Sequence, residues 1–499
     1  MAMTRIQGAG GTAIFMALLC LLSGDRAQAA SPTLDHLYPA GAGPGSTNLV
    51  RLSGKADPWP PQVWVSGGSL QVTTTTNKNE LEVVVAADAE PGPRLVRLFN
   101  DEGASELRPF IVGNGRELTE AEPNNHFAAP MAVGDLPVTV NGRLEKSGDV
   151  DSYAVHVPAG RRLRATLVSH LLMSKLDGVL RVVTTNGHQL AWNHDSATID
   201  PEVECLAESD SVVVVQVFGF PFPATADIRL TGGEGAFYRL RLGVYEAEPT
   251  PSPGDPGELS LPVSRRDCLA ESGARHRHSL KLVKGEWISA AVAAASLGSP
   301  VDAWLAVENS EGRELARNDD ADGSSDPALD WQVPEDGVFQ FVVGSLTRNA
   351  GPDHRYRLTI ERSAPDWRAG LVNSSLTAKP GSTNELRVTF ARLRGLTNEL
   401  QVLANNLPEG VTVEPVAAPA KGGELKLSVV VSATAAAWRG PVEVVCRDAT
   451  TGHERIVPFR LTGTEVNNGV PGGYRVLLAD QVDHFWLTVL PAEPEKPAE

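Results

Sequence analysis

Cysteine is scarce, with four in 499 residues, and the first of them, Cys20, falls in an N-terminal apolar segment. The remaining Cys205, Cys268 and Cys446 are too few for a disulfide framework. A single Cys205–Cys268 bridge in an oxidising compartment and free buried thiols both stay open. Those two lie in identical Cys-Leu-Ala-Glu-Ser pentapeptides at unlike places in the chain, a match we read as chance. Aromatic residues make up only 6%, against 47 Gly and 36 Pro. That mix disfavours long helices and favours short strands joined by turns. Beyond the N-terminus no apolar run reaches the ~18 residues of a membrane-spanning helix. Positive charge is in deficit, with a formal net charge of −17, which excludes a phosphate-tracking nucleic-acid binder. The acidity fits a solvated exported protein first and cation binding second. Catalytic signatures are also missing: no Gly-x-Ser-x-Gly elbow, no His-Glu-x-x-His helix, no Gly-x-Gly-x-x-Gly after a strand. The chain is therefore expected not to be an enzyme, although motifs alone do not exclude a glycosidase on a sandwich.

The N-terminus has the layout of a signal peptide over 1–30. Arg5 supplies the positive end, Ala13 to Leu22 an apolar core too short to span a bilayer, and Ala27-Gln28-Ala29 a cleavage site. Leu19 stands before Cys20 where a lipoprotein anchor requires a small residue. Losing this leader, which carries +1, leaves a net charge of −18. The expected product is exported, in the periplasm, at the cell surface or outside the cell, with no membrane span.

From residue 31 onward the sequence reads as an all-β chain of four tandem β-sandwich or jelly-roll domains, at 31–114, 115–245, 246–363 and 364–491, with a disordered tail at 492–499. In the first, Leu49–Leu52, Gln62–Val65, Leu81–Val85, Arg94–Phe99 and Phe110–Val112 are strand candidates. In the second, Val138–Val140, Tyr153–Val157, Leu163–Leu167, Gly178–Val183, Val212–Val217 and Tyr238–Leu242 are, with turns at Pro158-Ala159-Gly160 and Thr185-Asn186-Gly187. A Pro-rich joint, 249–259, leads into the third. Leu386–Phe390, Leu400–Ala404, Val411–Val413, Leu425–Val431, Val442–Val445 and Phe485–Val489 mark the fourth.

The two central segments are one unit written twice. Asp177 is followed by Gly187 ten residues on, by Leu190-Ala191, and by Asp195 eighteen residues on; Asp302, Gly312, Leu315-Ala316 and Asp320 repeat those offsets. Each copy follows Glu-Ala-Glu-Pro, at 120–123 and 246–249, and ends on Tyr-Arg-Leu, at 238–240 and 356–358.

Glu120-Ala121-Glu122-Pro123-Asn124-Asn125, Gly148-Asp149-Val150-Asp151-Ser152-Tyr153, Asp177, Asn186-Gly187, Asn193-His194-Asp195 and Tyr238 together resemble the bacterial pre-peptidase C-terminal domain. The resemblance covers 115–245 well and 246–363 weakly. It implies a non-catalytic sandwich that helps secretion or binds large substrates, and the related collagenase modules imply calcium. The order Tyr38-Pro39, Gly-rich turn, Leu52-Ser53-Gly54 is similar to IPT/TIG modules. Asn406-Leu407-Pro408-Glu409-Gly410-Val411 resembles a loop of bacterial immunoglobulin-like modules.

Calcium takes six to eight oxygens from carboxylates, amides and carbonyls. Glu120, Glu122, Asn124 and Asn125 cluster ahead of a strand, and Asp149 and Asp151, two apart, share a face if that stretch is extended. The resemblance implies that segment and turn meet; two solvated turns are the plainer alternative. The second copy reads Arg275-His276-Arg277-His278 where the acidic turn falls, so it is expected to lack the site. His276 and His278 share a face as a zinc pair would, but a solvated basic edge strand is the better reading. Asp195, Asp319 and Asp320 read as turn-capping carboxylates. Trp59, Trp64, Trp192, Phe218, Phe220 and Phe222 could form stacking platforms, with Trp64 and Phe218 better placed in cores. The function expected is a binding or scaffold protein holding an unidentified protein or polysaccharide; the alternative is an accessory of a secreted peptidase or glycosidase system.

Overall fold

In the strand Gly423–Val431 the buried positions are Leu425, Leu427, Val429 and Val431, with exposed residues between them. This period-two pattern gives a sheet one dry and one wet face, and burying each such side chain is worth about 1.5–3 kcal/mol. The pattern recurs along the chain. The computed structural model describes residues 30–196, 199–222, 225–226, 229–246, 258–297, 299–321, 326–351, 353–462 and 478–492. Among them the chain is all-β, and its helical turns are two 3-10 turns, His170–Leu172 and Ala295–Leu297. The expected leader, most of the Pro-rich joint and the tail lie outside the described residues. No described helix is long and apolar enough to cross a membrane.

The strands form eight sheets, paired around four apolar clusters that run from Leu34 to Val112, Val133 to Leu242, Val263 to Ile360 and Leu371 to Val489. The two central sandwiches have one topology. In the first copy one sheet runs Arg116–Thr119, Val138–Arg143, Phe237–Glu246, Arg161–Val168, Glu202–Leu206. The facing sheet runs Met131–Ala132, Asp151–Val157, Ser211–Pro221, Leu176–Thr184, Gln189–Asn193. The second copy repeats this, without a described counterpart of Arg116–Thr119, with Val263–Cys268, Arg355–Ser363, Trp287–Ala293, Ala328–Gln332 facing Glu258–Leu259, Arg275–Leu282, Gly337–Ser345, Ala303–Glu308, Glu314–Asn318. A register irregularity falls at Val182/Val183 in one and at Val307/Glu308 in the other, 125 residues apart. The two 3-10 turns are capped alike: Asp200 accepts from the His170 N–H at 2.9 Å, and Asp326 from the Ala294 and Ala295 N–H groups at 2.9 and 2.8 Å. Each capping Asp opens an Asp-Pro pair, at 200–201 and 326–327, a signal of the duplication that the sequence offered.

Several expectations change. The strand Arg275–Leu282 is not a solvated edge: it lies between Glu258–Leu259 and Gly337–Ser345, and His278 is 1% exposed. His36–Tyr38, Leu70–Thr74, Gln189–Asn193 and Glu202–Leu206 are further strands, mostly at sheet edges, where polar residues blunt the apolar pattern. None of the three described cysteines is in a disulfide; the Cys268 thiol donates to Gly351 O at 3.0 Å instead of bridging Cys205.

The sandwiches are not strung out as separate beads. The first meets the second through His36 stacked on Phe237 at 4.8 Å and the Arg143 guanidinium 4.9 Å from the Tyr38 ring. The second meets the third through Arg162 and Asp353, 3.6 Å apart, and the third meets the fourth through Asp330 and Arg394 at 3.1 Å. The first also meets the fourth. Arg97, 1% exposed, donates to Ser374 O at 3.0 Å and Ser374 Oγ at 2.6 Å. Phe99 lies 4.6 Å from Trp486, and Trp64 lies 4.9 Å from His484. Trp64 thus packs across this junction and not in the core of its own sandwich. The chain closes on itself.

Candidate metal centre

The strand Asp151–Val157 begins at Asp151 because its alternation puts Asp151, Tyr153, Val155 and Val157 inward, all at most 1% exposed. Asp149 precedes the strand, in a turn closed by its N–H donating to Lys146 O at 3.1 Å. Its carboxylate therefore reaches the same place from a turn, not from a shared strand face. The segment 120–125 is tied to the strand by Ser152 N–H donating to Asn124 O at 2.9 Å.

This brings carboxylate oxygens of Glu122, Asp149 and Asp151 within 4.8 Å of one another. Asn124 adjoins them through its backbone N–H, which donates to Glu122 at 2.9 Å; it is 0% exposed, and neither its Oδ1 nor its Nδ2 has a hydrogen-bond partner. Asp151 Oδ1 is likewise buried without a donor. Leaving a buried polar group unpaired costs about 1–3 kcal/mol, and the two bare acceptors, Asn124 Oδ1 and Asp151 Oδ1, are atoms that a cation would satisfy. Burial, and then the charge of Glu120, push the Asp151 carboxyl up to about 10.

The other two expected ligands sit one layer back. Asn125 donates through Nδ2 to Asp149 Oδ1 at 2.7 Å, and the Glu145 N–H donates to Asp149 Oδ2 at 2.7 Å. Glu120 accepts from the Arg143 N–H at 2.6 Å and from the Tyr153 hydroxyl at 3.2 Å. Burial raises its carboxyl to about 7. Tyr238 hydrogen-bonds Asp151 and lies 2.6 Å, oxygen to oxygen, from Tyr153. From the first sandwich, the Tyr38 hydroxyl donates to Glu120 at 3.4 Å. Sequence reasoning missed Tyr38, Tyr153 and Tyr238 as parts of the site, although the repeated Tyr-Arg-Leu pointed at Tyr238.

Carboxylate oxygens of Glu122, Asp149 and Asp151 can thus face one point, with the Asn124 backbone tied to Glu122 at 2.9 Å. Waters or bidentate contacts would complete the six to eight that calcium prefers. The donor set is all oxygen, with neither thiolate nor imidazole, which suits a hard cation.

The second copy places different chemistry at the same points. His276 and His278 take the places of Asp151 and Tyr153, and both face the Tyr356 hydroxyl, at 2.8 and 3.4 Å. Asp267 stands where the first copy has Gly142. Its carboxylate lies 3.6 Å from His276 and 3.4 Å from Arg265. Arg275 and Arg277, expected to repel a cation here, point to the other face and pair with Glu308. Arg265 supplies a fixed positive charge there instead.

A further cluster, Asp177, His194 and Asp195, also lies together in the first copy. His194 Nε2 is 3.1 Å from Asp177 and Nδ1 is 3.8 Å from Asp195. The bond to Asp177 raises the His194 pKa. A carboxylate thus stands near each ring nitrogen of His194.

No family model matches the chain, and no curated protein matches it. Solved structures do. The fibronectin(III)-like modules of Clostridium thermocellum CbhA match at 9% identity over 48% of this chain and 100% of theirs, with a TM-score of 0.15. Domains 1–6 of the surface layer protein SbsC match at 10% identity over 93% of this chain and 55% of theirs, TM-score 0.17. A Salmonella alpha-2-macroglobulin mutant matches at 11% identity over 94% of this chain, TM-score 0.15, and the chain spans 30% of its length. At these scores the likenesses carry no argument.

Proposed function

We propose that the chain is an exported, non-catalytic scaffold or binding protein. Its two central sandwiches are read as pre-peptidase C-terminal modules, and the first holds a structural calcium ion. The observation that carries the calcium reading is the meeting of the Glu122, Asp149 and Asp151 carboxylates around a buried Asp151 Oδ1 that has no donor. The second copy supports it: its Asp267 carboxylate lies 3.4 Å from the fixed charge of Arg265, which has no counterpart at Val140 in the first. Glu122, Asn124, Asp149 and Asp151 would hold the ion, and Glu120 and Asn125 would position them. Bound calcium supplies fixed positive charge, and the chain's part is to orient oxygens and to pin segment 120–125 to the strand Asp151–Val157. The scaffold reading is supported by four sandwiches closed into one body through buried side chains such as Arg97.

Isothermal titration of calcium into the full chain tests the site. Binding that is lost in Glu122→Ala and in Asp149→Ala is expected. A flat titration of the folded protein removes the metal and leaves the scaffold reading standing.

A further inference from the structure

The outward face of the sheet built on Ser211–Pro221 differs between the two copies. In the first, Trp192 on the edge strand Gln189–Asn193 is 58% exposed. It is the one tryptophan of nine that is exposed rather than buried or half-buried. Its cross-strand partner is Arg181. Arg181 Nε donates to Gln216 Oε1 at 3.0 Å, and Gln216 Nε2 donates to Ser152 Oγ at 3.0 Å. Gln216 and Ser152 are 3% and 0% exposed, so a buried relay fixes the guanidinium, which lies 5.2 Å from the Phe218 ring. Among the described residues nothing accepts from its two terminal NH2 groups. Asp177 and His194, joined at 3.1 Å, continue the same face, with Phe220 6.0 Å from His194. Phe218, expected in the core, therefore lies on this outer face.

In the second copy this face is closed. Arg317 stands at the position of Trp192 and covers the Trp304 ring at 4.2 Å, with Arg275 at 5.2 Å, leaving Trp304 6% exposed. Gly344 replaces Phe218 beneath it, where an added Cβ would lie 2.5 Å from the indole. The second copy uses its arginines to cover an aromatic ring, whereas the first holds one arginine ready beside an open ring.

We propose that the Trp192–Arg181 face of the first copy binds a neutral polysaccharide. An exposed indole stacks on the apolar face of a pyranose ring. The planar groups set around it, Arg181, Asp177 and His194, hydrogen-bond ring hydroxyls in fixed directions. A folded protein partner needs about 800 Å² on each side, and one exposed ring with a few flanking groups falls well short. An acidic glycan is disfavoured by Asp177 and Asp195 beside the ring and by the net charge of −17. The inference deepens the reading of the chain as a binding protein and does not depend on the calcium site.

The test is affinity electrophoresis and titration of the full chain with galactomannan, xyloglucan and laminarin, and with alginate as the acidic arm. Each is run in calcium and in chelator. Retardation by at least one neutral polymer is expected, weakened about tenfold or more by Trp192→Ala and by Arg181→Ala, and partly kept by Trp192→Phe. Because Trp192 is exposed, its loss leaves the fold intact, which circular dichroism verifies. The inference is overturned if no neutral polymer binds, if only alginate binds, or if Trp192→Ala leaves binding unchanged. It is equally overturned if Trp192→Ala dissolves a dimer seen by light scattering, since the face is then a protein contact. None of these outcomes touches calcium titration.

Discussion

Replacing Asp151 by Asn should stabilise the chain without calcium and destabilise it with calcium. The Asp151 carboxyl is raised to about 10 in the folded chain by burial and by Glu120, against about 3.9 in an unfolded one. Without a cation the folded state therefore keeps a proton that the unfolded state releases. Stability tied to that proton is complete below about pH 4 and is lost as pH rises toward the folded value. At about 1.4 kcal/mol per unit, three units of pH cost at most ~4 kcal/mol. Glu120, whose own carboxyl is raised to about 7, titrates in the same range and lowers this, and we expect ~2 kcal/mol between pH 4.5 and 7.5. Asn keeps the shape and still accepts from Tyr238, so Asp151→Asn should recover that amount at neutral pH and nothing at acid pH. With calcium the sign reverses, because a bound ion stabilises the wild type by about 2.7 kcal/mol at a hundredfold excess over Kd. Hydrogen exchange of the strand Asp151–Val157 in the full chain reads this locally. In chelator at neutral pH the variant should exchange about thirtyfold more slowly, since 1.4 kcal/mol is tenfold. If the variant exchanges faster than wild type in chelator, or if calcium slows both equally, the carboxylate is not the uncompensated charge that the geometry makes it.

Two further outcomes concern the closure of the chain. Arg97→Met removes two charge-assisted hydrogen bonds to Ser374, worth about 1.5–3 kcal/mol each, and should enlarge the radius of gyration seen by small-angle scattering while far-UV circular dichroism is unchanged. Burial, and then Arg97, lower the His484 pKa to about 4, so the junction is intact above the ordinary histidine value of about 6.5 and weakens as pH falls from there toward 4. Acidification across that window should loosen the first-to-fourth contact, and His484→Phe should abolish the response.

The fold was legible because inward apolar residues at period two, as in Gly423–Val431, do not depend on partners far away. The duplication was legible because Asp177 and Asp302 anchor equal offsets. The site was half legible. Glu122, Asp149 and Asp151 converge, but which carboxylates face the gap and which serve as supports depends on Tyr153, Tyr238 and Arg143, brought in by strands up to 118 residues away from Glu120. The pairing of the outer sandwiches was not legible. Arg97 and Trp64 sit in strands that read like any other, and nothing local marks a side chain whose partner, Ser374, is 277 residues away.

The two copies also state how the pocket can be kept neutral, and the exchange between them can be tested. Buried charge without a partner is costly, so a pocket of carboxylates must hold protons, import a cation or contain one. Among the described residues of the first copy no side-chain cation is shown at the pocket: the Arg143 side chain is turned onto Tyr38 and its backbone N–H reaches Glu120. The second contains Arg265 and His276 around Asp267. Their first-copy counterparts, 125 positions earlier, are Val140, Asp151 and Gly142, with Tyr153 at the place of His278. Gly142 leaves no room for a side chain, because a Cβ there would lie 2.3 Å from the Tyr238 ring. The second-copy set must therefore be moved together. The combined variant Val140→Arg, Gly142→Asp, Asp151→His, Tyr153→His should keep the sandwich, lose calcium heat in titration and lose sensitivity to chelator in hydrogen exchange. If it folds yet still unfolds locally in chelator, the cation was never compensating this pocket, and the contrast between the copies has another origin.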